Sequence, residues 1–396
     1  MKDNIHRAVI SLGSNLEPRA EYLRKAVARL SELPKTKLVR ESRVRVTEPV
    51  DVPVVFKSLK FLNQIVTLDT ELDVWEFSAA MHGIEDDLGR VRTTRNAPRT
   101  IDLDLITFDD LKLDKPELTL PHPRAAGREF VMVPLREIWL EELRERYDCY
   151  VRNYRDPFGH LSRMMQLKYD HTRLVVENAV TIAKVEKFTD EERFVAVAAA
   201  LLHDTGRYEQ LERYNTFKDS ESVDHAVFSH DIVKEKGWLR ELSGATLARP
   251  LEDSILKAVL YHNRRDLPAK LDHLTELASH TVRDSDKLDI FRVLEDQVAH
   301  SDWRNDSRAF WNLQVGVPPN PAVVKAIRER RPVDYQEIKS LSDFVLIQVG
   351  WMLSGLRYET SRRLCRERGH LDFRRKFLRE IGGGPEADAL CDLVVF

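Results

Sequence analysis

Apolar residues in the first 140 positions follow two spacings, which predict a small domain of strands and helices. Short apolar runs predict strands, and apolar residues repeated every three or four positions predict helices. The expected elements are a strand from residue 5, a helix over 19–33, strands over 37–46 and 61–68, a helix over 73–88 capped by Asp73, and a strand over 101–105. This order, β-α-β-β-α-β, predicts an α+β ferredoxin-like sandwich.

Later residues carry long stripes of helical spacing and little alternation, so the second half is predicted to be an all-α helical bundle. The expected helices cover residues 161–187, 190–203, 222–236, 251–261 and 275–298, with three more before Gly382. A chain of 396 residues suggests two or three domains, because one domain has roughly 150 residues. We predict a first domain over residues 1–145, a linker over 146–159 and a helical domain over 160–396, in which the residues beyond about 300 complete the core.

Composition and charge exclude several classes of protein. The net charge of −3 gives no overall basic surface for nucleic acid. Three cysteines, an odd number, do not predict a disulfide framework and are expected to be reduced thiols: Cys149, Cys365 and Cys391. The N-terminal apolar run is too short for a signal peptide, and no window reaches the ~18 apolar residues of a membrane span. We expect a cytoplasmic enzyme without nucleic-acid or membrane partners, and the oligomeric state stays open.

Two acidic residues on the last predicted strand, Asp102 and Asp104, follow a basic stretch. Residues two apart on a strand point to the same face, so the two carboxylates would lie side by side. Carboxylates suit Mg²⁺, which completes its coordination with substrate phosphates, and arginine binds phosphate oxygens bidentately. Four arginines precede the pair: Arg90, Arg92, Arg95 and Arg99. The pattern predicts a site for polyphosphate and metal, and the alternative is a solvated edge strand beside a basic loop.

A second group of polar residues recurs through the predicted helices at positions that suit a metal site. It consists of His171, His203, Asp204, His225, His262 and Asp286. Imidazoles and carboxylates bind Mn²⁺, Fe²⁺, Co²⁺, Ni²⁺ or Zn²⁺. The apolar helix ending in His203 and Asp204, which Gly206 is expected to terminate, buries a polar pair that needs partners. The alternative is a capping or core histidine beside an ordinary aspartate.

Six motifs in the first domain resemble one enzyme family, 6-hydroxymethyl-7,8-dihydropterin pyrophosphokinase. They are LGSNL (12–16), TEPV (47–50), FLNQ (61–64), IEDDLGRVR (84–92), APRTIDLDL (97–105) and LPHPRAAGREFVMVPL (120–135). The resemblance implies that Asp102 and Asp104 hold two Mg²⁺ ions bridging the phosphates of ATP. It also implies a set of residues that contact ATP or its phosphates: Glu85, Arg90, Arg92, Arg99, His122 and Arg128.

The same resemblance implies a pterin subsite and a reaction. Asn63 would hydrogen-bond the pterin edge, and Phe61 and Phe130 would sandwich its ring. Thr47, Pro49 and Val50 would complete this subsite. The hydroxymethyl oxygen of the pterin would attack the β-phosphorus of ATP and release AMP, with catalysis mainly by positioning and charge stabilisation from Arg90, Arg92 and Arg99. A rival on the same fold, an RNA-recognition module, needs a basic and aromatic sheet motif that this sequence lacks.

Five segments of the second half resemble the HD superfamily of metal-dependent phosphohydrolases over about residues 160–300. They are KYDHTRLVVENA, AALLHDTGR, DHAVFSH, LYHNRRDLP and RDSDKLDIF. The resemblance implies that His171, His203, Asp204 and Asp286 bind a first metal, and that His225 and His262 extend the site to a second. Such metals would lower the pKa of a water molecule and polarise a phosphoryl oxygen for ester hydrolysis.

Further basic and imidazole groups near this second site have less defined roles. Arg207, Arg283 and Lys287 could contact substrate phosphate, and His230 is expected to be structural. The leading interpretation is a bifunctional folate-pathway enzyme whose HD half hydrolyses an unknown phosphate ester, with a pterin phosphate and common nucleotides as open alternatives. Two others remain: a non-catalytic nucleotide-binding or assembly HD module, and a first domain that binds pterin without turnover.

Overall fold

The computed structural model describes residues 5–50, 53–91, 97–304, 310 and 313–396. It contains two compact units. The first comprises Met1–Tyr150 together with Lys234–Asp253, and the second comprises Val151–Val233 and Ser254–Phe396. Residues 234–253 thus belong to the first unit, whereas we had assigned them to the helical domain from their position along the chain. The reason is packing: this segment buries side chains against the first unit.

An antiparallel sheet forms the centre of the first unit. Its strands are β1 (His6–Ser14), β2 (Thr36–Glu41), β3 (Arg45–Thr47), β4 (Phe61–Thr70) and β5 (Asp102–Phe108). The order is β2-β4-β1-β5, and β3 also pairs with β4. A separate hairpin is formed by β6 (Leu113–Asp114) and β7 (Thr119–Leu120). The predicted α+β sandwich is confirmed.

Two helices cover one face of this sheet. They are α1 (Arg19–Ser31) and α2 (Val74–Asp87), close to their predicted bounds. Asp73 caps α2 as expected, accepting hydrogen bonds from the backbone N–H groups of Trp75 (2.8 Å) and Glu76 (2.9 Å). Leu23 and Phe77 represent the apolar stripes that pack on the sheet. Because each stripe meets the core face of β1 and β4, sequence spacing was sufficient to find both helices.

The predicted strand over residues 37–46 forms two strands instead of one. The ladder between β2 and β4 is irregular between Leu38 and Arg40. After it, Ser42 pairs with Ile65 through its backbone N–H (2.8 Å) and through its hydroxyl, which accepts the Ile65 N–H at 2.9 Å. A side chain in the ladder interrupts regular pairing, so β3 begins only at Arg45.

The opposite face of the sheet is covered by α3 (Glu129–Arg152) and the segment Lys234–Asp253. The Trp139 indole N–H donates to the Ser243 carbonyl at 2.6 Å. Glu142 accepts hydrogen bonds from the Ser243 backbone N–H (2.9 Å) and hydroxyl, and Arg7 donates to that hydroxyl at 3.0 Å. These buried polar groups satisfy one another, so the segment is an integral layer of the first unit.

Eleven more helices carry the rest of the described chain. They are α4 (Arg163–Val185), α5 (Asp190–Leu202), α6 (Gly206–Tyr214), α7 (His225–Glu235), α8 (Ala245–Tyr261), α9 (His273–His300), α10 (Pro321–Arg328), α11 (Leu341–Gly350), α12 (Glu359–Glu367), α13 (His370–Glu380) and α14 (Gly384–Asp392). The predicted all-α second half is confirmed. Four helices, not three, precede Gly382 after α9, because a glycine separates α12 from α13.

Helices beyond residue 300 complete the core of the second unit. Phe291 of α9, Val345 of α11 and Phe377 of α13 belong to one buried cluster. The buried Arg374 guanidinium donates to Glu295 (2.7 Å) and to the Phe291 carbonyl (2.8 Å). Among the described residues, no helix combines the length and the apolar composition needed to cross a membrane.

Substitution of Gly244 tests how tightly the inserted segment packs. Gly244 has a φ of 69°, and an added Cβ would lie 3.1 Å from the Thr107 hydroxyl, whereas Gly237 has a φ of 64° and open surroundings beyond 3.8 Å. Both alanine variants bear a left-handed backbone cost of about 1–2 kcal/mol. We expect Gly244→Ala to lower the free energy of unfolding by about 1–3 kcal/mol more, measured by urea denaturation. Equal losses would contradict the close packing.

Candidate functional site

The acidic pair of the first unit lies on β5 with both carboxylates on one face. Asp102 and Asp104 alternate with buried Leu103 and Leu105, which belong to the core under α1 and α2. The two carboxylates therefore lie on the same face of the strand, as the alternating sequence predicts. Burial raises the pKa of Asp104, and the neighbouring Asp102 carboxylate raises it further. Two carboxylates in this position repel each other unless cations lie close by.

Arginines from three segments supply that positive charge. Arg90 (2.6 Å) and Arg99 (3.0 Å) form ion pairs with Asp102, and Arg128 lies 3.5 Å from Asp104. Arg92 falls outside the described residues. The geometry therefore brings guanidinium groups and two carboxylates together. Guanidinium groups suit phosphate oxygens, and carboxylates suit Mg²⁺.

Glu85 of α2 fixes the start of the arginine loop. Its side chain is 1% exposed, and its Oε1 accepts the Leu103 backbone N–H at 2.7 Å and an N–H of Arg90. One carboxylate thus binds both the metal-site strand and an arginine that faces it. His122 lies after β7, where burial lowers its pKa and the Asp104 carboxylate opposes the shift.

The predicted pterin residues lie on the same sheet face beside the acidic pair, since Gly13 of β1 pairs with Asn63 on one side and with Asp102 on the other. The Asn63 amide donates to the Thr47 hydroxyl at 2.6 Å, across the pairing of β3 with β4. The guanidinium of Arg99 lies 5.2 Å from the Phe61 ring centre, and that of Arg128 lies 5.3 Å from the Phe130 ring centre. Each aromatic ring is therefore adjacent to a phosphate-side arginine. Pro49 and Val50 follow β3, and Val50 is exposed.

The helical unit brings together all six predicted metal-ligating side chains. The Nε2 atoms of His171 and His203 lie 3.7 and 3.5 Å from one oxygen of Asp204. The Nε2 atoms of His225 and His262 lie 3.7 and 3.8 Å from its other oxygen. Asp204 is therefore placed between two pairs of imidazoles.

Asp286 completes the first of these pairs. Its Oδ1 lies 3.1 Å from Nε2 of His171 and 4.0 Å from Nε2 of His203. These three ligand atoms lie within 4.8 Å of one another, as do those of His203, Asp204 and His262. The buried Nε2 atom of His203 has no hydrogen-bond partner among the described residues. A buried imidazole nitrogen without a partner, beside carboxylate oxygens, fits a divalent transition metal.

The imidazole rings are oriented by partners on their other nitrogen. Nδ1 of His171 contacts Asp289 at 2.6 Å, and Nδ1 of His225 contacts Asp219 at 2.5 Å. Nδ1 of His203 and of His262 contact the carbonyls of Ala200 (2.8 Å) and Val259 (2.7 Å). Each Nδ1 is thus occupied, which leaves each Nε2 directed at the shared centre.

Comparison with known proteins places both halves in families. Residues 9–140 match the model of 7,8-dihydro-6-hydroxymethylpterin-pyrophosphokinase (HPPK), and residues 169–290 match that of the HD domain. A 2-amino-4-hydroxy-6-hydroxymethyldihydropteridine pyrophosphokinase of Bacillus subtilis is 39% identical over 131 residues, 33% of this chain and 77% of the relative. The chain belongs to the HPPK family. It also contains an HD domain.

Two further relatives match the HPPK portion. The Pseudomonas aeruginosa pyrophosphokinase is 36% identical over 137 residues, which are 34% of this chain and 81% of that protein. A mitochondrial folate synthesis bifunctional protein of Pisum sativum is 36% identical over 135 residues, 33% of this chain and 24% of that protein. Each of these similarities thus covers about a third of this HPPK-family chain.

The pKa shifts in the HD-domain cluster favour neutral imidazoles at His225 and His262, whereas at His171 the carboxylates of Asp286 and Asp289 outweigh burial and raise the pKa. Burial lowers the pKa of His225 and of His262 to about 4, with help from Arg207 and His203 respectively. Burial alone would raise the pKa of Asp204, but Lys168 and then His203 outweigh it and hold that pKa well below its usual range. Neutral imidazoles and an ionised carboxylate are the protonation states that bind metals.

Gly206 has a different role from the one expected. It does not terminate the preceding helix in a left-handed conformation, because α5 ends at Leu202 and α6 begins at Gly206 itself. An added Cβ would lie 2.8 Å from the Ser229 backbone nitrogen. The Gly206 N–H donates to the Ser229 hydroxyl at 2.9 Å. The glycine therefore permits close approach to α7, which carries His225.

Three residues around the cluster were not singled out from the sequence. Lys168 donates to Asp204 at 2.7 Å, and Asp219 and Asp289 hold imidazole rings as described above. Asp289 lies one helical turn after Asp286, a spacing that could have identified it. Lys168 lies three residues before His171 on α4 and carried a similar signal.

The other polar residues predicted near this centre have defined partners. Arg207 lies 3.5 Å from Asp204 and donates to Asp219 at 3.0 Å. Lys287 donates to the Gly355 carbonyl at 2.9 Å. His230 contacts Asp231 at 2.8 Å on the outer side of α7, as a structural histidine would.

Removal of the Asp289 carboxylate tests how the His171 ring is oriented. We expect Asp289→Asn to weaken Mn²⁺ binding by roughly 10–100-fold, measured by calorimetric titration of the full chain. Asp296→Asn is the matched control, since Arg292 contacts both aspartates and Asp296 is half-exposed on the same helix. Equal affinities of the two variants would show that Asp289 does not position the imidazole.

Proposed function

We propose that the first unit transfers diphosphate from ATP to 6-hydroxymethyl-7,8-dihydropterin and releases AMP. The carrying observation is the carboxylate pair of β5 with Arg90, Arg99 and Arg128 directed at it. The Bacillus subtilis relative is a pyrophosphokinase for this pterin, which supports the reaction. A polyphosphate needs such a concentration of positive charge, and two aspartates suit the metal that accompanies it.

The side chains of this unit supply positioning and charge. Asp102 and Asp104 would hold two Mg²⁺ ions, which when bound draw charge from the ATP phosphates. Arg90 and Arg99 approach the same carboxylate from the loop, so a phosphoryl group there would meet two guanidinium groups. Asn63 would bind the pterin edge through its carboxamide, and Phe61 and Phe130 would bind its ring. The pterin hydroxymethyl oxygen attacks in line, and no side chain is assigned as its base.

Neutralising either carboxylate of the pair should stop the transfer. We expect Asp102→Asn and Asp104→Asn each to lower kcat by at least about 100-fold, with pterin binding retained, because Phe61 and Asn63 lie on β4 and not on β5. Product analysis by chromatography should give AMP, not ADP, with the unaltered chain. Asp114→Asn on β6, an exposed carboxylate, is the control. A normal rate in either site variant would refute the assignment.

We further propose that the HD domain is a metal-dependent phosphohydrolase of an organic phosphate ester. The carrying observation is Asp204, whose two oxygens face two different pairs of imidazoles. Such a bridging carboxylate supports two metals, with Asp286, His171 and His203 on one side and His225 and His262 on the other. Bound divalent ions such as Mn²⁺, Fe²⁺, Co²⁺, Ni²⁺ or Zn²⁺ would activate water and polarise a phosphoryl oxygen.

The protein groups around these ligands fix the orientation of the imidazole rings. Asp219 and Asp289 hold the ring orientation, and the carbonyls of Ala200 and Val259 do the same for the other two imidazoles. Lys168 and Arg207 lie beside Asp204, where they would meet a substrate phosphate. A site confined to an assembly role would have no need for this complete set of oriented ligands.

Two histidines of α7 provide a matched test of hydrolysis. We expect His225→Gln to lower Mn²⁺-dependent phosphate release by at least about 100-fold, because a ligand of the second metal is lost. His230→Gln, five residues along the same helix, should retain the rate. Release from p-nitrophenyl phosphate is measured with the full chain. Similar rates in both variants would defeat the proposal, as would failure of the unaltered chain to release phosphate from any of several phosphate esters with any of the five metals.

A further inference from the structure

A large cavity lies beside the metal-ligand cluster within the helical unit. Its volume is about 740 Å³, and its lining includes Asp204, His262 and Asp286 of the cluster. Pockets that enclose small organic ligands have volumes of roughly 300–1,000 Å³. The cavity is therefore large enough for more than a single phosphate group.

Basic side chains dominate this lining. Ten lysines and arginines line the cavity with only three carboxylates, and two of those, Asp204 and Asp286, are metal-ligand candidates. Lys168 and Arg207 stand beside the cluster, whereas Arg330 and Arg357 lie in the part of the chain after residue 300. Cations at so many positions of the lining match a chain of phosphates better than one phosphate.

Two cations of the lining are held by backbone carbonyls. Arg283 donates to the Arg265 carbonyl at 3.1 Å, and Lys287 donates to that of Gly355 at 2.9 Å. A carbonyl positions a cationic side chain without cancelling its charge.

An apolar wall forms part of the lining. Trp351 begins a π-helical turn, Trp351–Gly355, and lines the cavity with Ile290, Ile327 and Ile347. The indole packs against Phe291 with ring centres 6.2 Å apart. An indole face among aliphatic side chains suits a flat ring, and single π-helical turns are frequent at functional sites.

Most of this wall lies outside the matched HD region. That match ends at residue 290, whereas Ile327, Arg330, Trp351 and Arg357 all come later. Arg357 is anchored by its backbone N–H, which donates to Asp284 at 3.0 and 3.1 Å. The segment after residue 300 therefore contributes a wall of this cavity as well as core packing.

We propose that this cavity selects phosphate esters that combine two or more linked phosphates with a flat heterocyclic ring, and that residues after 300 set this selectivity. The cluster would receive the phosphate to be cleaved. The lysines and arginines of the lining would bind the remaining phosphates, and Trp351 would contact the ring. The inference rests on the proposed hydrolysis. Nucleoside polyphosphates and pterin polyphosphates both belong to this class, and monophosphates without a ring do not.

The test compares four probes with the full chain carrying Asp102→Asn and Mn²⁺. The probes are GTP, dihydroneopterin triphosphate, inorganic tripolyphosphate and p-nitrophenyl phosphate. We expect kcat/KM for at least one ring-bearing triphosphate to exceed those for the last two by tenfold or more. The same chain with Arg330→Gln and Arg357→Gln should lower the ratio of kcat/KM for that triphosphate to that for p-nitrophenyl phosphate by at least tenfold.

Two controls separate charge and ring from general damage. The double variant Arg328→Gln with Arg366→Gln removes one exposed arginine from α10 and one from α12. Its ratio should equal that of the parent chain. Trp351→Leu should lower the preference for the ring-bearing triphosphate over tripolyphosphate by at least fivefold, and Trp351→Phe should restore most of it. If these ratios of kcat/KM are unchanged in the arginine and tryptophan variants while hydrolysis is intact, the inferred selectivity is refuted and the proposed hydrolysis is not.

A metal-free binding measurement keeps the inference testable if hydrolysis is absent. Failure to hydrolyse all four probes would refute the proposed phosphohydrolase. Calorimetric titration of GTP into the metal-free chain then reports on the cavity itself. A dissociation constant raised at least fivefold by Arg330→Gln with Arg357→Gln, and not by the control pair, would support selection by the cavity. No difference between the pairs would overturn it.

Discussion

The buried carboxylate of Asp204 lies between two pairs of imidazoles, and the helical unit is arranged to keep it there. A charge taken out of water must be compensated, and here Lys168 and Arg207 stand beside the carboxylate. The ligands come from α4, α7, α9 and the ends of α5 and α8, so five helices must pack correctly for one carboxylate to be satisfied. Gly206 contributes by letting the chain after Asp204 approach the backbone of α7.

The acidic pair of the first unit meets the same requirement with different chemistry. Asp102 and Asp104 are compensated by guanidinium groups, and the donor set is made of oxygen. Such a set suits Mg²⁺ with phosphates, whereas the imidazole-rich cluster suits transition metals. Each unit thus presents carboxylates compensated by nearby cationic or imidazole groups, and the identity of the side chains around the carboxylates distinguishes the two.

The two folded units, and the residues that line the cavity, do not separate at one point along the sequence. Residues 234–253 lie within the matched HD region but form a layer on the sheet of the first unit, where Trp139 and Glu142 bind Ser243. Residues after 300 lie outside that region yet line the cavity next to the cluster. Experiments on either activity therefore require the full chain, because a cut near residue 150 would remove a packed layer from the first unit.

The sequence alone determined both fold classes and both sets of candidate ligands, because these depend on local spacing. Alternation set the facing of Asp102 and Asp104, and helical stripes together with a capping aspartate located α1 and α2. Only the tertiary structure decided which groups meet across long separations. It showed Asp204 with each oxygen toward a different pair of imidazoles, Asp219 and Asp289 as their orienting partners, and Trp351 in the cavity wall. Such contacts depend on the packing of distant helices, which no local pattern records.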